Sequence, residues 1–463
     1  KALLRLGRQN IDLKLDFVLN HASVQSPQFQ DLLENGSQSE YRDFFIDWNA
    51  FWKNCGEMTE DGYIQPAQKY LDPMFFRKPG LPLLMVEMAD GSRIPYWNTF
   101  YQEIRDTDDY HTRYLGQMDL NIKSEKVWDF YRETIKKLAG YGAKIIRLDA
   151  FAYAPKAPGR ANFLNEPETW EFLEQIHELA KPYGIRLLPE IHAGYKEKKY
   201  ELIAQKGYLT YDFFLPGLIL DALYRGDGTY LEQWAKEQIK ENIHTVNMLG
   251  CHDGIPVLDL AGLLPDDRIE DLIRLLVDRG GFVKDLHGNK KMYYQVNTTY
   301  YNALGENEQA LLLARALQIF MPGKPQVWYL DLFAGSNDYE AVKRAGAGGH
   351  KEINRTNFSQ KDIESGLEKE VVKKQLEMLK FRKEFPAFGF DAEMEIRTKP
   401  AAQISDQAEN AFHFAKIPDE QMYNRIYITW KKDGYLARLS ADLKAHTYRI
   451  QALDPSGNLI WQM

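Results

Sequence analysis

The sequence predicts an α/β protein: a (β/α)8 TIM barrel, interrupted by a small inserted subdomain and followed by a C-terminal antiparallel β domain. Two observations carry this expectation. Short, nearly all-apolar runs alternate with longer amphipathic ones, the pattern of parallel strands buried on both faces and joined by helical crossovers. From about Ala387 the pattern changes to strict alternation, as in Arg425-Ile426-Tyr427-Ile428-Thr429-Trp430 and Thr447-Tyr448-Arg449-Ile450, which marks half-buried antiparallel strands.

Taken in order, Lys1 to Gln9 reads as the end of a helix feeding a strand at Ile11–Leu19. Further strands are expected at Ala143–Asp149, Ile185–Glu190, Tyr208–Phe214, His244–Cys251 and Gln326–Leu330. Ser124 can cap a helix that carries Val127, Trp128, Tyr131, Ile135 and Leu138 and stops at Gly140 and Gly142. Asn165 with Glu168 resembles a capping box for the next helix, which would bury Leu173, Ile176 and Leu179 and stop at Pro182. A final barrel helix is expected over Glu368–Phe385. Six strands of this kind are visible where a closed barrel has eight, so the first two barrel strands are expected upstream of Lys1. The interval from Asp16 to Asp149 is far longer than that from Asp149 to Glu190, so a subdomain rich in aromatics, Gly and Pro must sit inside it. The expected division is residues 1–40 and 116–386 for the barrel, 41–115 for the insert over the active site, and 387–463 for the β domain.

Composition narrows the function. The 463 residues are 44% hydrophobic and 27% charged, ordinary values for a chain with a sizeable core. A net charge of −8 argues against nucleic acid or an anionic membrane as partner, and no apolar run approaches the length of a membrane span. Cys55 and Cys251 form no disulfide framework or zinc motif, which fits a reducing, cytoplasmic setting. The expected partners are small-molecule substrates, with a homodimer as a further expectation; no cofactor or metal is expected.

Active sites of such barrels lie at the C-terminal ends of strands, so polar residues that end apolar runs are the candidates. Four groups qualify: Asn20-His21, Arg147 with Asp149, Glu190 with His192, and His252-Asp253. Any one carboxylate could instead cap the helix that follows, but capping does not account for four groups together. Carboxylates with separated roles suit a retaining glycosidase-type reaction, with a nucleophile and an acid/base; a metal site is the competing use, and no short ligand spacing supports it.

These residues resemble the α-amylase family of glycoside hydrolases, within it the sucrose phosphorylase branch. The resemblance runs through Asp16-Phe17-Val18-Leu19-Asn20-His21, Gln117-Met118-Asp119-Leu120-Asn121, Arg147-Leu148-Asp149-Ala150-Phe151-Ala152-Tyr153, Pro189-Glu190-Ile191-His192 and Cys251-His252-Asp253-Gly254, and continues through Tyr294-Gln295-Val296-Asn297 and Ile353-Asn354-Arg355. It implies that Asp149 is the nucleophile, Glu190 the acid/base and Asp253 the stabiliser of the transition state. It places His21, Phe100, Gln117, Arg147, His192, His252, Gln295 and Arg355 with the sugar, and Tyr153 and Tyr294 with phosphate. In the family the carboxylate partner of Arg355 comes from the loop after the second strand, which this sequence does not contain. Arg147, two positions before Asp149, is expected to keep that carboxylate ionised, while Glu190 needs a drier setting to stay partly protonated.

Arg77 or Lys78 falls where the branch has a phosphate-binding arginine, although an exposed basic pair would look the same in sequence. Lys290 and Lys291 would welcome an anionic acceptor, or they form a solvated loop tip. The implied activity is retaining glucosyl transfer from sucrose or a related α-glucoside to inorganic phosphate, giving α-glucose 1-phosphate. The alternatives are an α-glucoside hydrolase or transglucosidase of the same family, and a truncated sugar-binding fragment without activity.

Overall fold

The computed structural model describes residues 2–76, 80–100, 102–107, 109–286, 292–346, 349–398 and 424–463. Two compact units divide the chain, one over Lys1–Ile191, the other over His192–Leu286 and Lys291–Met463.

In the first unit, helix α1 (Ala2–Arg8) leads into β1 (Leu13–Val18), as the opening residues predict. It is followed by β2 (His21–Ser23), β3 (Tyr114–Asp119), α2 (Glu125–Gly140), β4 (Ala143–Asp149), α3 (Glu168–Ala180) and β5 (Arg186–Pro189). β4 is the centre of a parallel sheet in the order β1-β4-β5, in register Val18 to Asp149 and Pro189 to Leu148. That register brings the strand ends carrying Asp149 and Glu190 to one level. Helix α2 buries Val127, Tyr131 and Ile135, spaced four apart on one face. The Tyr131 hydroxyl donates to the carbonyl of Leu19 at 2.5 Å, pinning the end of β1.

Two local expectations are corrected here. Ser124 stands at the N-cap of α2, but its hydroxyl makes no capping bond. Asn165 does not cap α3: the cap position is Pro167, and the Asn165 amide donates to the carbonyls of Pro155 and Ala161 at 3.0 and 2.6 Å, bracing the loop instead. Within residues 41–115 the described elements are short, including hairpins of Gly56–Met58 with Ile64–Pro66 and of Leu83–Glu87 with Arg93–Trp97. Their weak periodicity reflects a core of large rings, with Trp48, Trp52 and Trp97 packed beside Ile46, Ile64 and Met74.

The second unit contains β6 (Thr210–Asp212), α4 (Leu215–Arg225), α5 (Thr229–Lys240), β7 (Thr245–Met248), β8 (Ile255–Pro256), β9 (Phe282–Leu286), β10 (Met292–Asn297), α6 (Glu308–Phe320), β11 (Lys324–Gln326) and α7 (Glu370–Glu384). β6, β7 and β11 form a second parallel sheet in that order. The strand expected at Gln326–Leu330 lies earlier, because a short helix over Tyr329–Leu332, with Trp328 at its N-cap position, takes the apolar run. Helix α6 is buried from Ala310 to Phe320 on every face, the signature of a central helix. The remaining strands, β12 (Glu393–Arg397), β13 (Arg425–Lys432), β14 (Tyr435–Asp442), β15 (Thr447–Leu453) and β16 (Leu459–Gln462), form one antiparallel sheet in sequential order. It buries Ile426, Ile428 and Trp430 on one face, and the Trp430 indole donates to the carbonyl of Phe320 at 2.7 Å. Among the described residues no helix is long and apolar enough to cross a membrane.

Candidate active site

In the first unit the chemistry gathers around Arg147, whose side chain is 9% exposed near the end of β4. Its guanidinium donates to Asp16 at 2.7 Å and, more closely, to Glu190. Asp149 lies 3.7 Å from the nitrogen that grips Glu190. The expectation that Arg147 keeps Asp149 ionised is therefore corrected: its strongest bonds go to Glu190 and Asp16, and Asp149 is left with the longer contact. Burial, and next the negative charge of Glu190, raise the Asp149 carboxyl to about 6 despite the opposing pull of Arg147. The Glu190 side chain adds to that rise, so a proton retained by Asp149 is in reach of Glu190. Glu190 is the drier of the two, 11% exposed against 38% for Asp149, which is the order an acid/base and a nucleophile require. Directly after Asp149, Ala150 adopts a left-handed backbone at φ 54°, turning the chain sharply off the strand into a 3-10 turn over Phe151–Tyr153.

The end of β1 contributes His21, half-buried and held down to about 4 by burial, so its imidazole is neutral at ordinary pH. Its ring lies 4.8 Å from that of Phe100, which in turn lies 5.2 Å from Tyr153. The structure thus brings together three residues that sequence reasoning named from separate segments. Beneath them is a buried ion pair that sequence reasoning missed. Lys156 reaches Asp119 at 2.9 Å and the Asn20 side-chain oxygen at 2.8 Å, and also bonds the Tyr153 carbonyl. Asp119 further accepts from Asn20 at 3.0 Å and from the backbone and hydroxyl of Thr99 at 2.9 and 2.6 Å. A buried charge so fully bonded ties the segments of His21, Phe100 and Tyr153 to one point. Gln117 lies on β3 opposite Ser23 of β2.

In the second unit Asp253 follows β7. Burial alone would raise its carboxyl, but Lys351 at 2.5 Å, with His252, outweighs that and holds it well below the usual carboxylate range. Arg355 adds a contact to Asp253 at 3.4 Å and another to Glu352 at 3.4 Å. Arg355 therefore has carboxylate partners within its own unit, where the resemblance implies one from the loop after the second strand. His192 stacks on Phe213 at 3.9 Å and faces Asp259 at 3.3 Å. Gln295, expected to face substrate, is 3% exposed and its amide donates to the carbonyl of Asp253 at 2.8 Å.

Tyr294 lies on β10, while Arg77, Lys78, Lys290 and Lys291 lie outside the described residues. Sequence reasoning also missed Lys351 and Asp259. Lys351 stands two residues before the quoted Ile353-Asn354-Arg355 and four before Arg355, which contacts the same carboxylate; that spacing was the available signal.

The comparisons with known proteins follow the same line. Residues 3–252 match the family model described as alpha amylase, catalytic domain. The chain is 51% identical to the sucrose 6(F)-phosphate phosphorylase of Ilumatobacter coccineus, over 95% of this chain and 85% of that relative. It is 34% identical to the sucrose phosphorylase of Streptococcus mutans, over 96% of this chain and 82% of that one. The crystal structure of sucrose 6F-phosphate phosphorylase from Thermoanaerobacter thermosaccharolyticum superposes with a TM-score of 0.82 at 34% identity, covering 99% of this chain and 84% of that one. The strand-end carboxylates, the motifs around them and these similarities together assign the chain to the sucrose phosphorylase branch of the α-amylase family.

Proposed function

We propose that the chain transfers a glucosyl group with retention from sucrose, or sucrose phosphorylated on its fructosyl moiety, to inorganic phosphate. The observation that carries the chemistry is the contact between Asp149 and Glu190. One Arg147 nitrogen bonds Glu190 and lies 3.7 Å from Asp149, so the two carboxyl groups sit close together, as in a retaining pair, and not at the wider spacing that an inverting reaction keeps for a water. In the first step an Asp149 oxygen attacks the anomeric carbon, the glycosidic bond breaks, and Glu190 gives its proton to the departing fructosyl oxygen. In the second a phosphate oxygen attacks the same carbon, its proton passes to Glu190, and the ester to Asp149 breaks, releasing α-glucose 1-phosphate. Asp253 takes the role of transition-state stabiliser by its motif, and its depressed carboxyl supplies the permanent anion that role needs. The preference for a phosphorylated donor rests on the 51% identity to a sucrose 6(F)-phosphate phosphorylase, against 34% to a sucrose phosphorylase. In this reading residues 41–115 form the insert and 387–463 the C-terminal β domain.

Incubation with each donor, with and without phosphate, tests the proposal through the ratio of glucose 1-phosphate to free glucose. A ratio that phosphate never changes replaces the reading with a hydrolase. Asp149→Asn removes turnover of every donor by on the order of 10⁴-fold or more. Glu190→Gln spares α-glucosyl fluoride, whose leaving group needs no proton. Wild-type turnover in Asp149→Asn would refute the nucleophile.

A further inference from the structure

The backbone that presents Asp253 is held by side chains from three separate stretches of the second unit. Asp331 accepts from the Gly250 amide at 3.0 Å, Asn354 donates to the Cys251 carbonyl at 2.5 Å, and Arg355 donates to the His252 carbonyl at 3.1 Å. Two amides then converge on one oxygen: Gln295 and Asn297 donate to the Asp253 carbonyl at 2.8 and 2.7 Å. Both are essentially buried, at 3% and 1% exposure, and being two apart on β10 they project from the same face of the strand. The strand itself closes on the same place. β8 pairs with β10 through Ile255 to Val296 and Pro256 to Gln295, and Gly254 lies so near that a Cβ there would come within 2.4 Å of the Val296 carbonyl oxygen.

We infer that Asn297 is a positioning residue for Asp253, fixing the peptide from which the carboxylate projects; the inference rests on the role of Asp253 proposed above. A carbonyl oxygen has two lone-pair directions, and here both are taken by neutral amides. The peptide plane of Asp253 is thereby fixed against rotation about its axis, and with it the direction of its Cα–Cβ bond. Lys351 and Arg355 act on the carboxylate end of the same residue. The two sets of contacts separate the tasks: cations keep the side chain charged, amides keep it aimed. Misplacing a reacting or stabilising group by about 1 Å costs on the order of 100-fold in rate.

The decisive variant is Asn297→Asp, nearly isosteric, which turns a donor into an acceptor facing the Asp253 carbonyl; Asn297→Ala removes the group. With α-glucosyl fluoride as donor and inorganic phosphate as acceptor, Asn297→Asp is expected to lower kcat by about 10- to 100-fold while KM for phosphate moves less than about twofold, because the acceptor contacts are untouched. Asn297→Ala should fall between it and the parent, and circular dichroism of both should match the parent. Combined with Asp253→Asn, the Asn297→Asp change should add almost nothing, since a misaimed group costs nothing once the group is gone. A parental kcat in Asn297→Asp, or losses that multiply in the double variant, overturns the inference and leaves the role of Asp253 standing. Parental activity in Asp253→Asn overturns that role first, and the inference with it. Should Asn297→Asp fail to fold, the same two readings on Asn297→Ala decide.

Discussion

At the scale of the residue, the site is organised by one nitrogen. The Arg147 nitrogen that grips Glu190 is 3.7 Å from Asp149, so a small swing exchanges its partner. Glucosyl transfer needs Asp149 ionised and Glu190 protonated, the reverse of what the Arg147 contacts favour. The pair is competent while it holds one proton, and the last proton leaves near the Asp149 value of about 6. A profile of kcat/KM against pH for a sucrose-type donor is therefore expected to fall about tenfold per unit well above that pH; a flat profile to pH 9 would refute the shared proton. Stability follows the same group with a definite sign. Its folded value lies above the ordinary 3.8, so the folded chain holds this proton more tightly than the unfolded one. The resulting stabilisation is full below 3.8 and lost as pH rises through about 6, leaving a partly buried anion beside Glu190 that costs stability at neutral pH. Asp149→Asn is expected to melt at a higher temperature than the parent at pH 7.5, with the gain vanishing by about pH 4. Equal melting temperatures at pH 7.5 would contradict this. A site residue that weakens the fold it sits in is the usual mark of function.

At the scale of the element, what could be read from the sequence was what local pattern controls. Buried parallel strands declare themselves by apolar runs such as Ala143–Asp149, and β13 by strict alternation around Ile426 and Ile428. The site residues that end those runs were legible for the same reason. Contacts between distant segments left no such trace. Lys156 with Asp119 and Lys351 with Asp253 are pairings of side chains whose partners are set by tertiary structure alone. The strand expected at Gln326–Leu330 failed because an apolar run of that length suits a short helix equally well. Glycine is where element and site meet most strictly. Gly254, at φ 97°, follows Asp253 and presses its Cα against β10, a conformation and a clearance that no other residue satisfies. Gly254→Ala is expected to cost about 1–3 kcal/mol from backbone strain, seen as a lower urea midpoint, and to reduce activity more than the lost stability explains. A parental midpoint would show that β8 and β10 separate freely.

At the scale of the whole molecule, the net charge of −8 opposes an anionic co-substrate, so any phosphate that binds must be held by local cations strong enough to overcome it. Binding that is confined to the folded chain stabilises it by mass action, about 2.7 kcal/mol at a ligand concentration 100 times Kd. Water as acceptor has no such term, which gives the global melting temperature the power to separate a phosphorylase from a hydrolase without any product assay. Asp149→Asn is the variant to use, since it cannot turn over and every ligand stays intact. Salt alone also raises stability by screening self-repulsion, so each phosphate concentration must be paired with chloride at matched ionic strength. The expected result is a rise with phosphate that exceeds chloride and saturates, with a separate rise for the sugar donor. A phosphorylated donor should saturate at lower concentration than plain sucrose, as the donor preference proposed above requires. A donor-dependent rise with phosphate indistinguishable from chloride would mean that the folded chain holds the sugar and leaves the acceptor position to water, and the phosphorolytic reading would fall.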